Sequence, residues 1–140
     1  MSKQLILTVG LPHSGKTTWA MAQGHPVVSM SSLYRLISPV YLVKPTAKVF
    51  VMSLFASGYN TVIVDDGNWL SKSRQFWRSC DWETYIYRVS GPEHAESVLV
   101  HLDCTTTTPA EYTKKSRQVQ NALDAWEEIT PDELSYHLCS

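Results

Sequence analysis

Cysteine is scarce in this chain. Cys80, Cys104 and Cys139 are odd in number and show no C-x-x-C spacing, so the pattern supports neither a disulfide framework nor a zinc site, and a reducing, cytoplasmic setting is expected. Long apolar runs are also missing. Residues 5–9 form an apolar stretch far too short to span a bilayer, and the first residues lack the basic, apolar and small-residue sections of a secretory leader. A soluble protein with no membrane partner is expected. The five histidines fall at no metal-ligand spacing, and no internal repeat is present, which excludes solenoids and propellers. Net charge is nearly absent too, at −1, but that balance conceals an asymmetry. Residues 1–80 carry eight Lys/Arg against two Asp, and residues 81–140 carry four against eleven Asp/Glu. A basic half of this kind suits a polyanionic ligand.

What is present fits one globular unit. With 140 residues, 44% of them hydrophobic, the chain can bury a sizeable core, and residues 1–140 are expected to form a single domain with little room for a second.

The densest information lies in Gly10, Leu11, Pro12, His13, Ser14, Gly15, Lys16, Thr17 and Thr18, which satisfy G-x-x-x-x-G-K-[ST] directly after an apolar run. In such a P-loop, backbone N–H groups turn inward around phosphates, the lysine reaches the β and γ oxygens, and the hydroxyl after it can ligate Mg²⁺. The flanks agree, since residues 5–9 read as a buried strand and residues 17–22 continue as a helix. ATP and Mg²⁺ are therefore the expected cofactors. His13 occupies a variable position of the loop and reads as a bystander.

Residues 27–29 read as a short strand and residues 31–37 as a Ser-capped helix. The spacing of Val49, Phe50, Met52, Leu54 and Phe55 predicts an amphipathic helix from Thr46 to a stop at Gly58. Residues 61–66 form a buried strand ending in two carboxylates, and a helix follows from Ser71. Residues 84–89 fit either a continuation of that helix or a strand. Residues 97–103 read as a last strand, Pro109 opens a further helix, and a short one begins at Thr130. Strands alternating with helices predict an α/β fold of three layers, with a parallel sheet of four to five strands covered by helices on both faces and ligands at the strands' C-terminal ends.

Asp65 and Asp66 end a strand that follows the P-loop unit, where a carboxylate can position Mg²⁺ or its water shell. Arg35, Lys72, Arg74, Arg78, Lys114, Lys115 and Arg117 fall in three basic groups, the kind of cations that phosphoryl transfer uses to stabilise developing charge. The Lys114–Arg117 group is the candidate lid. Trp69 and Tyr34 are the aromatics nearest the expected site.

The run from Gly10 to Ala20, then Tyr34 and Arg35, then residues 62–68 with Arg74 and Trp77 following, resembles the kinase domain of phage polynucleotide 5′-hydroxyl kinase and its P-loop kinase relatives. The resemblance covers residues 4–80 well and the remainder loosely. It implies transfer of the γ-phosphate of ATP to an alcohol of a nucleic acid, with DNA foremost, or of a nucleotide, and a cytoplasmic setting that is the host's cytoplasm where such a kinase is phage-encoded. It also implies site roles: Lys16 and Thr17 on ATP and Mg²⁺, Arg35 on acceptor phosphate or in support of the site, and Asp66 at the acidic position of the family's Asp-x-Asn motif, with Arg74 following; beside these, Asp65 is the candidate second metal ligand, Lys115 and Arg117 the candidate lid cations, and Ser32, Asn68 and Lys72 further candidates toward the acceptor. One position departs from the family. Its general-base aspartate falls at Ser32 here, and a serine cannot take a hydroxyl proton at neutral pH as a carboxylate does. Three readings follow: Asp65 or Asp66 serves as base; the acceptor binds differently, as in phage kinases that phosphorylate a 5-hydroxymethyl pyrimidine such as 5-hydroxymethyluracil within DNA; or the protein is an ATP-binding regulatory module without transfer.

Overall fold

The structure, a computed structural model, describes residues 2–134. Four parallel strands, β1 (Gln4–Val9), β2 (Val27–Ser29), β3 (Thr61–Asp65) and β4 (Glu83–Arg88), lie in the order β2-β3-β1-β4. Seven helices accompany them among the described residues: α1 (Lys16–Ala22), α2 (Met30–Leu36), α3 (Val43–Ala56), α4 (Ser71–Phe76), α5 (Ala95–Thr105), α6 (Pro109–Ala125) and α7 (Pro131–Leu134). This is a three-layer α/β fold built on a parallel sheet. None of the described helices is long and apolar enough to cross a membrane.

Strand alternation sets the layers. Leu5 and Leu7 of β1 and Val62 and Val64 of β3 face one side, where they pack with Met30, Val43, Ala47, Val51, Phe55, Trp77 and Trp82. On α3 the buried residues Val43, Ala47, Val51 and Phe55 repeat every four residues, a single stripe facing the sheet. α1 packs on the sheet's other face against β1, β2 and β3. A second cluster, Leu11, Val98, Leu102, Val119 and Ala122, joins α5 and α6 to the loop that follows β1.

Two expectations are corrected and one open reading is resolved. α3 begins at Val43 and runs through Pro45, because a proline in the first helical turn loses no intrahelical bond; Val49, Phe50 and Met52 fall outside its buried stripe and are exposed. Residues 97–103 lie within α5 and not in a strand, since Val98 and Leu102, one turn apart, are the positions buried against α6. The open reading of residues 84–89 resolves as β4, held by β1 in register Leu5 to Thr84 and Leu7 to Ile86. The cysteines also differ from expectation. Cys104 is a free, exposed thiol, whereas Cys80 is disulfide-bonded, and spacing along a chain does not reveal such partners; Cys139 lies outside the described residues.

Arg74 is the most completely engaged side chain in the fold, with 1% exposure. Its Nε donates to Glu133 Oε2 at 2.6 Å, its Nη2 to Glu133 Oε1 and to the Glu128 carbonyl at 3.2 Å each, and its Nη1 to the Asn68 carbonyl at 2.9 Å. Burial pushes the Glu133 carboxyl up, but pairing with Arg74 and bonds from Thr130 outweigh it and hold the group below its ordinary value. The pair ties α7 to the turn after β3 across 59 residues of sequence. Breaking it leaves a buried carboxylate without its cation, so Arg74→Met should lower unfolding free energy by about 3–5 kcal/mol. Urea denaturation measures this, and a loss under about 1 kcal/mol would show the pair to be dispensable. Because the Glu133 carboxyl is depressed, its contribution is present above the ordinary carboxylate pKa and is lost as pH falls through the lowered one.

Candidate active site

The loop between β1 and α1 is shaped by two glycines and one buried leucine. Gly15 sits at φ 92° at the N-terminus of α1, a left-handed geometry that side-chain-bearing residues rarely adopt. A Cβ at Gly10 would stand 3.0 Å from Ser90 Oγ and 3.2 Å from the Lys16 stem, tight enough that either side chain would have to shift to admit one. Leu11 is fully buried under α5 and α6, and its N–H donates to Ser90 Oγ at 3.0 Å. Burying a leucine contributes roughly 1.5–3 kcal/mol, enough to seat the loop on the core.

The Leu11 carbonyl accepts from Ser14 Oγ and, at 2.7 Å, from Lys16 Nζ. Burial draws the Lys16 ammonium below its ordinary pKa, opposed by the charges of Asp65 and Asp66. Thr17 Oγ1 donates to Asp65 Oδ2 at 2.6 Å, which places a hydroxyl and a carboxylate side by side where α1 meets the end of β3. Asp66 is fixed from both sides. Its backbone N–H donates to Thr8 Oγ1 at 3.1 Å while Thr8 Oγ1 donates to its carbonyl at 2.8 Å, and the Gly67 N–H donates to Asp66 Oδ1 at 2.8 Å. Burial pushes the Asp66 carboxyl up, as does the neighbouring Asp65, against the Gly67 bond and the charges of Lys16 and Lys44. Tyr34 of α2 stands within the field of Asp66, and burial together with that charge pushes its phenol up.

A cavity of about 400 Å³ opens over the loop, lined by residues 13–18 together with His101, Leu102 and Thr105 of α5 and Lys115 of α6. Beside it a second cavity of about 630 Å³ runs past Thr18 and Trp19 to Ser90, Ser97, Val98 and His101. His13 Nε2 meets Gln118 Oε1 at 2.6 Å, joining the loop to α6. The cavity is polar, lined by the loop's own residues and by Lys115 of α6, a fit for phosphates.

The structure brings together only part of the expected set. Lys16, Thr17, Asp65, Asp66 and Lys115 converge, with Lys115 paired to Glu111 at 3.0 Å one turn away. Arg117 is exposed and lies with Lys114 and Thr113 on the outer face of α6. Arg35 is exposed on α2, its Nη2 at 3.5 Å from Ser32 Oγ. Ser32 donates to the helix-capping Ser29 Oγ at 3.1 Å and lines a separate apolar groove with Leu33, Phe50 and Leu54. Asn68 is buried, and its Nδ2 donates to the Thr8 carbonyl at 2.9 Å. Lys72 is exposed in the first turn of α4, while Arg74 belongs to the buried pair described above and not to a ligand surface. Sequence reasoning missed Thr8, Ser90, His101 and Thr105. Ser97, His101 and Thr105 are spaced by four, so reading this segment as a helix would have put them on one face.

No family model and no curated protein matches the sequence. Among solved structures, the Pnkp1/Rnl/Hen1 RNA repair complex contains a chain that matches with TM-score 0.58 and 18% identity, over 90% of this chain and 47% of that one. A second structure of the Pnkp1/Rnl/Hen1 complex matches with TM-score 0.59 and 20% identity, over 77% and 42%. A shikimate kinase from Acinetobacter baumannii in complex with shikimate gives TM-score 0.45 at 14% identity, over 89% and 75%. This chain thus spans less than half the length of the repair-complex chains it matches, and at such identity what it shares with them is the fold.

Proposed function

We propose that the protein is an ATP-dependent phosphotransferase that passes the γ-phosphate to a hydroxyl of a nucleic acid or nucleotide. The observation that carries this reading is the meeting, at the ends of β1 and β3, of Lys16, the Thr17–Asp65 contact and the half-buried Asp66. Thr17 and Asp65 offer two hard oxygen donors in direct contact, a set that suits Mg²⁺, which when bound would neutralise charge on the phosphates. Residues 13–18 line the cavity that would take the phosphate chain, and Lys16 and Lys115 add positive charge where charge develops in transfer. Asp66 takes the role of base. Its burial raises its proton affinity toward the working range, so it accepts the acceptor hydroxyl's proton as the oxygen attacks phosphorus. The shared fold with a chain of an RNA repair complex supports a nucleic-acid or nucleotide acceptor.

Labelled ATP and Mg²⁺ with single-stranded DNA, RNA, DNA carrying hydroxymethyl pyrimidines, and mononucleotides test the reading directly. Label is expected in at least one acceptor. ATP binding with no transfer to any of them would replace the kinase with an ATP-binding module.

A further inference from the structure

The first 64 residues contain no aspartate or glutamate at all, so the cations of α2 and α3 have no acidic neighbours in their own part of the chain. Lys44 and Lys48 stand one turn apart on α3, both half-buried. Neither makes an ion pair among the described residues. Both are drawn over one ring instead: Lys44 Nζ lies 5.5 Å and Lys48 Nζ 5.1 Å from the Phe76 centroid, and Lys48 lies 6.0 Å from that of Trp82. Like charges at this spacing repel, and aromatic faces orient ammonium groups without neutralising them. The fold therefore holds two cations without ion-pair partners among the described residues in a row between α3 and α4. The end of that row nearest the candidate base is Lys44, whose charge acts on Asp66.

We propose that Lys44 and Lys48 form an anion-binding row for phosphate groups of the acceptor, making them specificity-determining residues that favour a phosphate-bearing acceptor over a neutral alcohol. The inference rests on the reading of Asp66 as the base that meets the acceptor hydroxyl. A turn of α3 sets the two stems roughly 5–6 Å apart, comparable to the spacing of successive phosphates along an extended strand. Lys44 is placed for the phosphate nearest the reacting hydroxyl, and Lys48 for the next one.

The test compares kcat/KM for a 5′-hydroxyl oligonucleotide, a nucleoside 3′-monophosphate and the parent nucleoside, using the full chain and its Lys44→Met, Lys48→Met and Lys48→Arg variants. Methionine keeps an unbranched stem over Phe76. Lys44→Met should lower the preference for monophosphate over nucleoside roughly tenfold, the weight of a charge-assisted hydrogen bond, through KM and not kcat. Lys48→Met should weaken the oligonucleotide alone, and Lys48→Arg should restore it; equal weakening of the monophosphate would assign both lysines to a single phosphate. A merely structural role would lower thermal stability and reduce all acceptors together, and unchanged preference ratios overturn the proposal. If the wild-type protein transfers to no acceptor, the kinase reading fails, and anisotropy of a labelled single-stranded oligonucleotide decides the row by itself. The slope of log affinity on log salt should then fall by about 0.7 per lysine removed. Absence of binding, or an unchanged slope, overturns it.

Discussion

Lys16→Ala is expected to leave a folded protein whose ATP turnover is slower by roughly two to three orders of magnitude. The reasoning starts from the side chain's present contacts. Lys16 Nζ donates to the Leu11 carbonyl of its own loop, and the loop is seated by Leu11, Ser90 and the two glycines, so the fold does not depend on the ammonium. Turnover does. No other lysine or arginine lines the cavity except Lys115, and that one is already paired with Glu111, so losing Lys16 leaves developing charge on the transferred phosphoryl with a single shared cation. A thousandfold loss corresponds to about 4 kcal/mol of transition-state stabilisation. Single-turnover kinetics with labelled ATP, set beside thermal unfolding of the same variant, separates the two contributions. Turnover at the wild-type rate would remove Lys16, and with it the phosphate-cradle reading, from the chemistry.

The loop between β1 and α1 was legible because each of its requirements is local. Glycine at positions 10 and 15, lysine at 16 and a hydroxyl at 17 are demanded by backbone geometry and phosphate chemistry within nine residues of chain. β1 and β3 were legible for a related reason, since runs of apolar β-branched residues buried on both faces carry their own signature. Residues 97–103 were not, because Val98, Leu99, Val100 and Leu102 satisfy both a strand and a helix period. Only the packing of Val98 and Leu102 on α6 decides between them. Arg74 shows the sharper limit. A basic residue eight positions after a carboxylate pair reads as a ligand for phosphates, and its true partner, Glu133, lies far along the chain where nothing in the sequence marks it. Ser32 was noticed as a departure in sequence, and its placement against an apolar groove turns attention to the carboxylates at the end of β3.

Asp66→Asn is expected to abolish transfer and, at the same time, to stabilise the protein at neutral pH. A positioned general base contributes typically 10²–10⁴-fold, and Asn keeps the size of the side chain and can still accept the Gly67 N–H while being unable to take a proton. ATP binding should persist, because Lys16, Thr17 and Asp65 are untouched. The stability change follows from burial, which pushes the Asp66 carboxyl up, with Asp65 adding in the same direction. A carboxyl whose folded pKa exceeds its unfolded value favours the fold fully below the unfolded value, near 4, and that contribution is lost as pH rises through the folded one. Above the folded value the folded protein carries a charge that it holds less comfortably than the unfolded chain does, and Asn removes that cost. Melting curves of the two proteins should therefore lie closest in acid and separate toward neutrality, with the variant the more stable. In the wild-type protein the same titration sets the acid limb of the rate profile above the ordinary carboxylate range. Stabilisation with loss of transfer marks a group kept for chemistry at the expense of the fold. A variant that transfers phosphate at the wild-type rate with the acid limb unmoved would exclude Asp66 as base. Loss of transfer accompanied by a lower melting temperature at pH 7 would instead make Asp66 a support for the turn at Gly67, and Asp65 would be left as the only carboxylate in position to accept the proton.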